Sequence, residues 1–213
     1  MGRVTPSRIA ATLVLAGLAV FWCAFLVAAA VNPGYSHGRD YVSTLASRGA
    51  EYGWLGVLAI AAAACAMLSA ALLVRPLSRA AAIAVALAGA GFLVVAFTRL
   101  ECSKGAAGCG LGGRFAISGA TEVTHWTATT VSTVLVIAGV ALTGVALIGA
   151  RRTRAGIASL AAAAVTAGAF LVMGGQSPGG AQRLGILVAT GWLATVAVDA
   201  LVGAARTTRA RDA

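Results

Sequence analysis

Glu122 and His125 stand three residues apart where an apolar run begins, in Ser118-Gly119-Ala120-Thr121-Glu122-Val123-Thr124-His125-Trp126. On a helix that spacing puts both side chains on one face. A carboxylate beside an imidazole is a pairing used in general acid–base chemistry, with the acid orienting the ring. Asp40 is a second candidate for the orienting role, and Ser43 or a water could act as nucleophile. The catalytic candidates are therefore His125, Asp40, Ser43 and Glu122. Each also has a structural reading. His125 sits at the edge of the apolar run, where a bond to a loop carbonyl would satisfy it. Glu122 in a first helical turn complements the helix dipole. Asp40 follows the Pro33-Gly34 turn, where it can cap a short helix that directs Tyr41, Val42 and Leu45 toward the membrane surface.

Two arginines flank the same region. Arg99 ends one apolar run and Arg183 begins another. Either they snorkel to the interface, or they point inward and pair with Asp40, Glu101 or Glu122. An inward pair of guanidinium groups would suit a phosphate, because each offers donors in a fork. These readings give a ligand set of Asp40, Ser43, Arg99, Glu101, Glu122, His125 and Arg183. Cys102 and Cys109, in Glu101-Cys102-Ser103-Lys104-Gly105-Ala106-Ala107-Gly108-Cys109, are expected to close a small disulfide loop. No metal site and no cofactor are expected, since neither CxxC nor HxxxH spacing is present. Cys23 and Cys65 lie inside apolar runs and read as packing residues.

The elements that must position these groups are membrane spans. The chain has 213 residues, 60% hydrophobic and 10% charged, with a mean hydropathy of +0.92. A soluble domain of this length needs far more polar surface. Apolar runs at about 9–31, 53–74, 80–98, 123–150, 155–174 and 184–205 each approach the roughly 20 residues a helix needs to cross a hydrocarbon core of about 30 Å. No strand-like alternation is present, so helix is the expected form. The links at 75–79 and 151–154 are short enough to force antiparallel hairpins. The first run is too long for a signal-peptide core and reads as a retained span. No internal repeat is evident. The fold class expected is all-α: a polytopic membrane protein, one six-helix bundle over residues 1–213.

The net charge of +10 is better explained by topology than by nucleic acid, because the basic residues cluster between the apolar runs. One set of ends and loops holds ten: Arg3, Arg8, Arg75, Arg79, Arg151, Arg152, Arg154, Arg206, Arg209 and Arg211. The other holds six: Arg39, Arg48, Arg99, Lys104, Arg114 and Arg183. The first set is expected in the cytoplasm, with both termini, in a multi-pass protein of the cell membrane.

The run Tyr35-Ser36-His37-Gly38-Arg39-Asp40-Tyr41-Val42-Ser43-Thr44-Leu45 and its continuation to Gly56, the Cys102 and Cys109 loop followed by His125, and Ala181-Gln182-Arg183-Leu184 resemble domain-of-unknown-function family 998. The similarity runs over about 9–205. It implies six spans, as in other bacterial and archaeal members, and draws attention to Asp40, Ser43, His125 and Arg183. It implies no activity. A more distant likeness to intramembrane metal hydrolases fails on histidine count, since only His37 and His125 are present.

Two functional classes follow. The first is a non-enzymatic protein whose partners are membrane lipids, with an amphiphilic ligand bound by its head group at the outward polar cluster. The second is a membrane-embedded lipid hydrolase with His125 as general base. A transporter ranks third, as neither paired broken helices nor repeat symmetry is evident.

Overall fold

The computed structural model describes residues 5–101, 119–174 and 177–212. The expected disulfide between Cys102 and Cys109 lies outside the described residues. Six long helices account for nearly all of the rest: α1 (Pro6–Val31), α2 (Gly53–Val74), α3 (Arg79–Phe97), α4 (Ala120–Gly149), α5 (Thr153–Leu171) and α6 (Pro178–Asp212). All six are long and apolar enough to cross a membrane, α6 through Pro178–Ala205. The chain is a multi-pass, all-α membrane protein, and no strand occurs among the described residues.

Local chemistry sets the helix ends. Pro6 opens α1, where its missing N–H costs nothing. The Ser78 hydroxyl accepts from the Ala81 N–H at 3.2 Å and caps α3. Asn32 ends α1, and its side-chain amide donates to the Ala28 carbonyl at 2.7 Å. Between α4 and α5, Arg151 takes a φ of 60° in the left-handed region, so that three residues suffice to reverse the chain. Several starts fall earlier than the apolar runs imply, α6 most of all. α4 begins at Ala120 rather than near 123, and α6 at Pro178 rather than near 184. Hydropathy marks where a helix becomes apolar, not where it begins, so Gln182 and Arg183 are helical residues.

Each helix packs on its neighbours in sequence, and α6 returns to α1 and closes the ring. Side chains from all six helices build the main core, including Val14, Leu18, Met67, Val85, Val140, Ala163, Trp192 and Leu193. Small residues allow the closest approaches: a Cβ on Gly144 would stand 2.9 Å from the Gly156 carbonyl oxygen. A buried bond from the Trp192 indole N–H to the Ser159 hydroxyl, 3.1 Å, ties α6 to α5. At the arginine-rich end, Arg152 pairs with Asp199 at 2.6 Å, with both side chains half exposed. Cys23 and Cys65 are exposed on the bundle surface, not packed inside as their position in apolar runs suggests. Helix faces toward lipid are as apolar as those toward the core, so hydropathy does not separate the two.

Candidate functional site

The 32–52 loop builds one end of the bundle. Pro33 and Gly34 form its turn, with the Tyr35 N–H donating to the Asn32 carbonyl at 3.3 Å. Gly34 supplies the φ of 77° that this turn needs at its third position. Ser36 and Asp40 then bond reciprocally. The Asp40 carboxylate accepts from the Ser36 N–H at 2.7 Å, and the Asp40 N–H donates to the Ser36 carbonyl at 2.8 Å. A short 3-10 helix follows at Val42–Ala46.

The short helix matches the expectation for this loop; its capping and placement do not. Tyr41 is its N-cap residue and no side chain caps it, because the Asp40 carboxylate turns back to Ser36. Tyr41, Val42 and Leu45 do not face the membrane surface. They are 5%, 4% and 2% exposed, and the short helix contacts α1, α2, α3 and α6. It is a plug set into the end of the ring. Burial pushes up the Tyr41 phenol, whose hydroxyl donates to the Met173 carbonyl at 3.3 Å.

Arg183, in the second turn of α6, holds the first half of this loop. Its Nη1 donates to the main-chain oxygens of His37 and of Asp40, the latter at 3.0 Å, and its Nη2 donates to the Tyr35 hydroxyl. The guanidinium lies 5.3 Å from the Tyr35 ring centre and 5.5 Å from that of Phe25. Burial raises the Tyr35 phenol to about 12, although Arg183 pulls it down. Arg99, just beyond α3, holds the second half. Its Nε donates to the Ala46 carbonyl at 2.8 Å and its Nη2 to the Ser47 carbonyl at 2.9 Å. The Arg48 N–H bonds the Leu100 carbonyl at 2.8 Å, and Arg48 pairs with Glu101 at 3.4 Å in an exposed contact.

His125 is 1% exposed. Its Nδ1 lies 2.7 Å from the Thr98 carbonyl at the end of α3, so Nδ1 carries a proton and donates. Glu122 is partly buried in the first turn of α4. The groups chosen from sequence are thus all at one end of the bundle, but they do not form one cluster. Arg183 takes main-chain oxygens rather than the Asp40 carboxylate. Among the described residues, no hydrogen bond joins His125 to Asp40, Ser43 or Arg183. The physical reason is a surplus of carbonyls. The ends of α3 and of the short helix leave acceptors with no helical donor, and side-chain N–H groups of His125 and Arg99 satisfy them.

The space enclosed by the ring is the feature that sequence reading missed. A cavity of about 130 Å³ extends from the short helix toward the middle of the bundle, lined by residues of all six helices. Phe21, Ile60, Met67, Phe92, Val136 and Ile186 make most of its wall apolar. Its threonines add little polarity. Thr129, Thr133, Thr166 and Thr190 each donate to the carbonyl four residues earlier, at 2.8 Å. Ser43 and Gln182 line the loop end. The Gln182 side-chain oxygen accepts from the Val42 N–H at 2.7 Å. Its amide nitrogen and the Ser43 hydroxyl have no hydrogen-bond partner among the described residues, and neither is sealed from the cavity. Ser43 was legible as a candidate. Gln182 had one available signal: an uncharged polar residue beside Arg183 where a span begins.

Comparison with curated proteins gave no match, and comparison with solved structures gave none. The family model described as protein of unknown function (DUF998) matches residues 15–199. On that coverage, joined to its six spanning helices, the chain belongs to the DUF998 family.

Proposed function

We propose that this protein is a non-enzymatic lipid-binding protein of the cell membrane, holding an amphiphile inside its helical ring. The tail lies in the apolar cavity and the head meets Ser43 and Gln182. The observation that carries this reading is the polarity gradient along the cavity: apolar walls with internally bonded threonines, then two polar groups without partners among the described residues at one end. Ligand sites are mostly apolar with a few convergent polar groups. Arg99 and Arg183 do not serve as the head-group site in this reading: Nε and Nη2 of Arg99 and both Nη atoms of Arg183 are engaged by the loop, the Arg183 Nε is buried, and neither arginine lines the cavity.

The test is native mass spectrometry of protein extracted from its own membrane. Wild type is expected to retain lipid through gentle purification. Thr133→Phe and Ala189→Phe, which fill the cavity wall, are expected to lose it by roughly tenfold or more while remaining monodisperse. Equal retention by the filled variants would overturn the cavity assignment. Release of hydrolysed lipid by wild type but not by Ser43→Ala would replace binding with hydrolysis.

The proposed orientation puts the cavity's polar end outside the cell. Reporter fusions after Arg79 and after Arg154 are expected to read cytoplasmic, and a fusion after Gly112 external. The reverse pattern would invert the site.

A further inference from the structure

We infer that the lipid held in this cavity has an uncharged head carrying a carbonyl or hydroxyl oxygen; the inference rests on the cavity-binding reading above and specifies its ligand. Among the described residues, none that line the cavity is ionisable. The described charged groups at that end of the bundle are not part of its lining. Arg183 is held by His37, Asp40 and Tyr35, Arg99 by Ala46 and Ser47, and the Asp40 carboxylate accepts from Ser36. A phosphate or ammonium group drawn into this space would be a buried charge without a counter-ion, which costs several kcal/mol even after relaxation. An uncharged polar head avoids that cost if it is hydrogen-bonded.

The polarity of the two free groups then sets the head's chemistry. The Val42 N–H can only donate, so the Gln182 atom that it meets must be the carbonyl oxygen. This fixes the amide and leaves its NH₂ as the group available to the cavity. The Ser43 hydroxyl can donate or accept. Together they fit a head oxygen that accepts from Gln182 and exchanges a hydrogen bond with Ser43, which is 8% exposed. An ester carbonyl of a diacylglycerol and the hydroxyl of a long-chain alcohol share this chemistry.

Purified, delipidated full-length protein is titrated with lipids of matched acyl chains: a diacylglycerol, the corresponding phosphatidic acid, and a quaternary ammonium amphiphile. A long-chain alcohol separates the hydroxyl from the ester as the source of the oxygen. Binding is read by native mass spectrometry and by displacement of a fluorescent fatty alcohol. The expected result is at least tenfold tighter binding of the uncharged lipids. Ser43→Ala and Gln182→Leu should each weaken uncharged lipids about five- to fiftyfold, the range of a lost hydrogen bond to a buried group, and leave charged ones unchanged. Gln182→Leu also removes the bond to Val42, so Ser43→Ala, which breaks no bond described within the protein, is the decisive variant. Equal or tighter binding of phosphatidic acid that Thr133→Phe abolishes would overturn the uncharged head and leave the cavity reading intact. No Thr133→Phe-sensitive binding by any of these lipids would overturn both.

Discussion

Replacing Arg183 by alanine is expected to lower the apparent thermal midpoint of the detergent-solubilised protein by roughly 5–10 °C, corresponding to a loss on the order of 3 kcal/mol. The side chain joins α6 to three points of the 32–52 loop: the oxygens of His37 and Asp40 and the Tyr35 hydroxyl. Hydrogen bonds from a charged donor are worth more than neutral ones, and the alanine variant leaves acceptors beside the buried Asp40 unsatisfied. It also removes the cation from the rings of Tyr35 and Phe25. Lysine keeps the charge but not the fork, so Arg183→Lys should recover less than half of the loss. Arg48→Ala is the matched control. Its pair with Glu101 is exposed, 60% and 56% for the two side chains, and should contribute only about 0–1 kcal/mol. A midpoint for Arg183→Ala within the shift of Arg48→Ala would show that the loop is held by apolar burial alone.

The spans were legible because a membrane imposes a length and a composition that few other structures share. The Pro33-Gly34 turn was legible because a positive φ beside a proline has few alternatives. The loop's burial was not. Tyr41, Val42 and Leu45 read equally well as a surface-seeking or an inward-facing patch, since lipid and protein interior are both apolar solvents. For the same reason the exposed Cys23 and Cys65 resembled core residues. Arg183, Arg99 and His125 stood out as polar groups at span ends. For His125 a carbonyl partner was among the readings, and it bonds that of Thr98; the inward partners expected of the two arginines were carboxylates or a phosphate, because sequence displays carboxylates and conceals free carbonyls. Carbonyls with no helical donor exist only once helices end in particular places, as α3 does at Thr98. The cavity was the least legible feature. It is a volume left between six helices, and no single segment encodes it.

Gly56→Ala is expected to be more disruptive than its one added methyl suggests. A Cβ at Gly56 would stand 2.4 Å from the Leu45 carbonyl carbon and 2.5 Å from both the Leu45 oxygen and the Ala46 nitrogen. All three are main-chain atoms, so no rotamer change can relieve the contact; the short helix must move away from α2. Its displacement would pull the Ala46 and Ser47 carbonyls from Arg99 and uncover Val42 and Leu45, which are almost fully buried. Overpacking alone costs about 1–3 kcal/mol. With those bonds strained as well, the loss should reach about 3 kcal/mol or more, with faster proteolysis within the 32–52 loop. Gly191→Ala supplies the opposite sign. Gly191 is exposed in the middle of α6, and a Cβ there meets nothing within 4 Å. Alanine at that position should leave stability unchanged or raise it by up to about 1 kcal/mol through helix propensity. If both variants melt like wild type, the short helix is not seated against α2 as described. If Gly56→Ala melts low and also loses bound lipid while Gly191→Ala keeps it, the plug that closes the ring also completes the cavity, because the displaced segment carries Ser43.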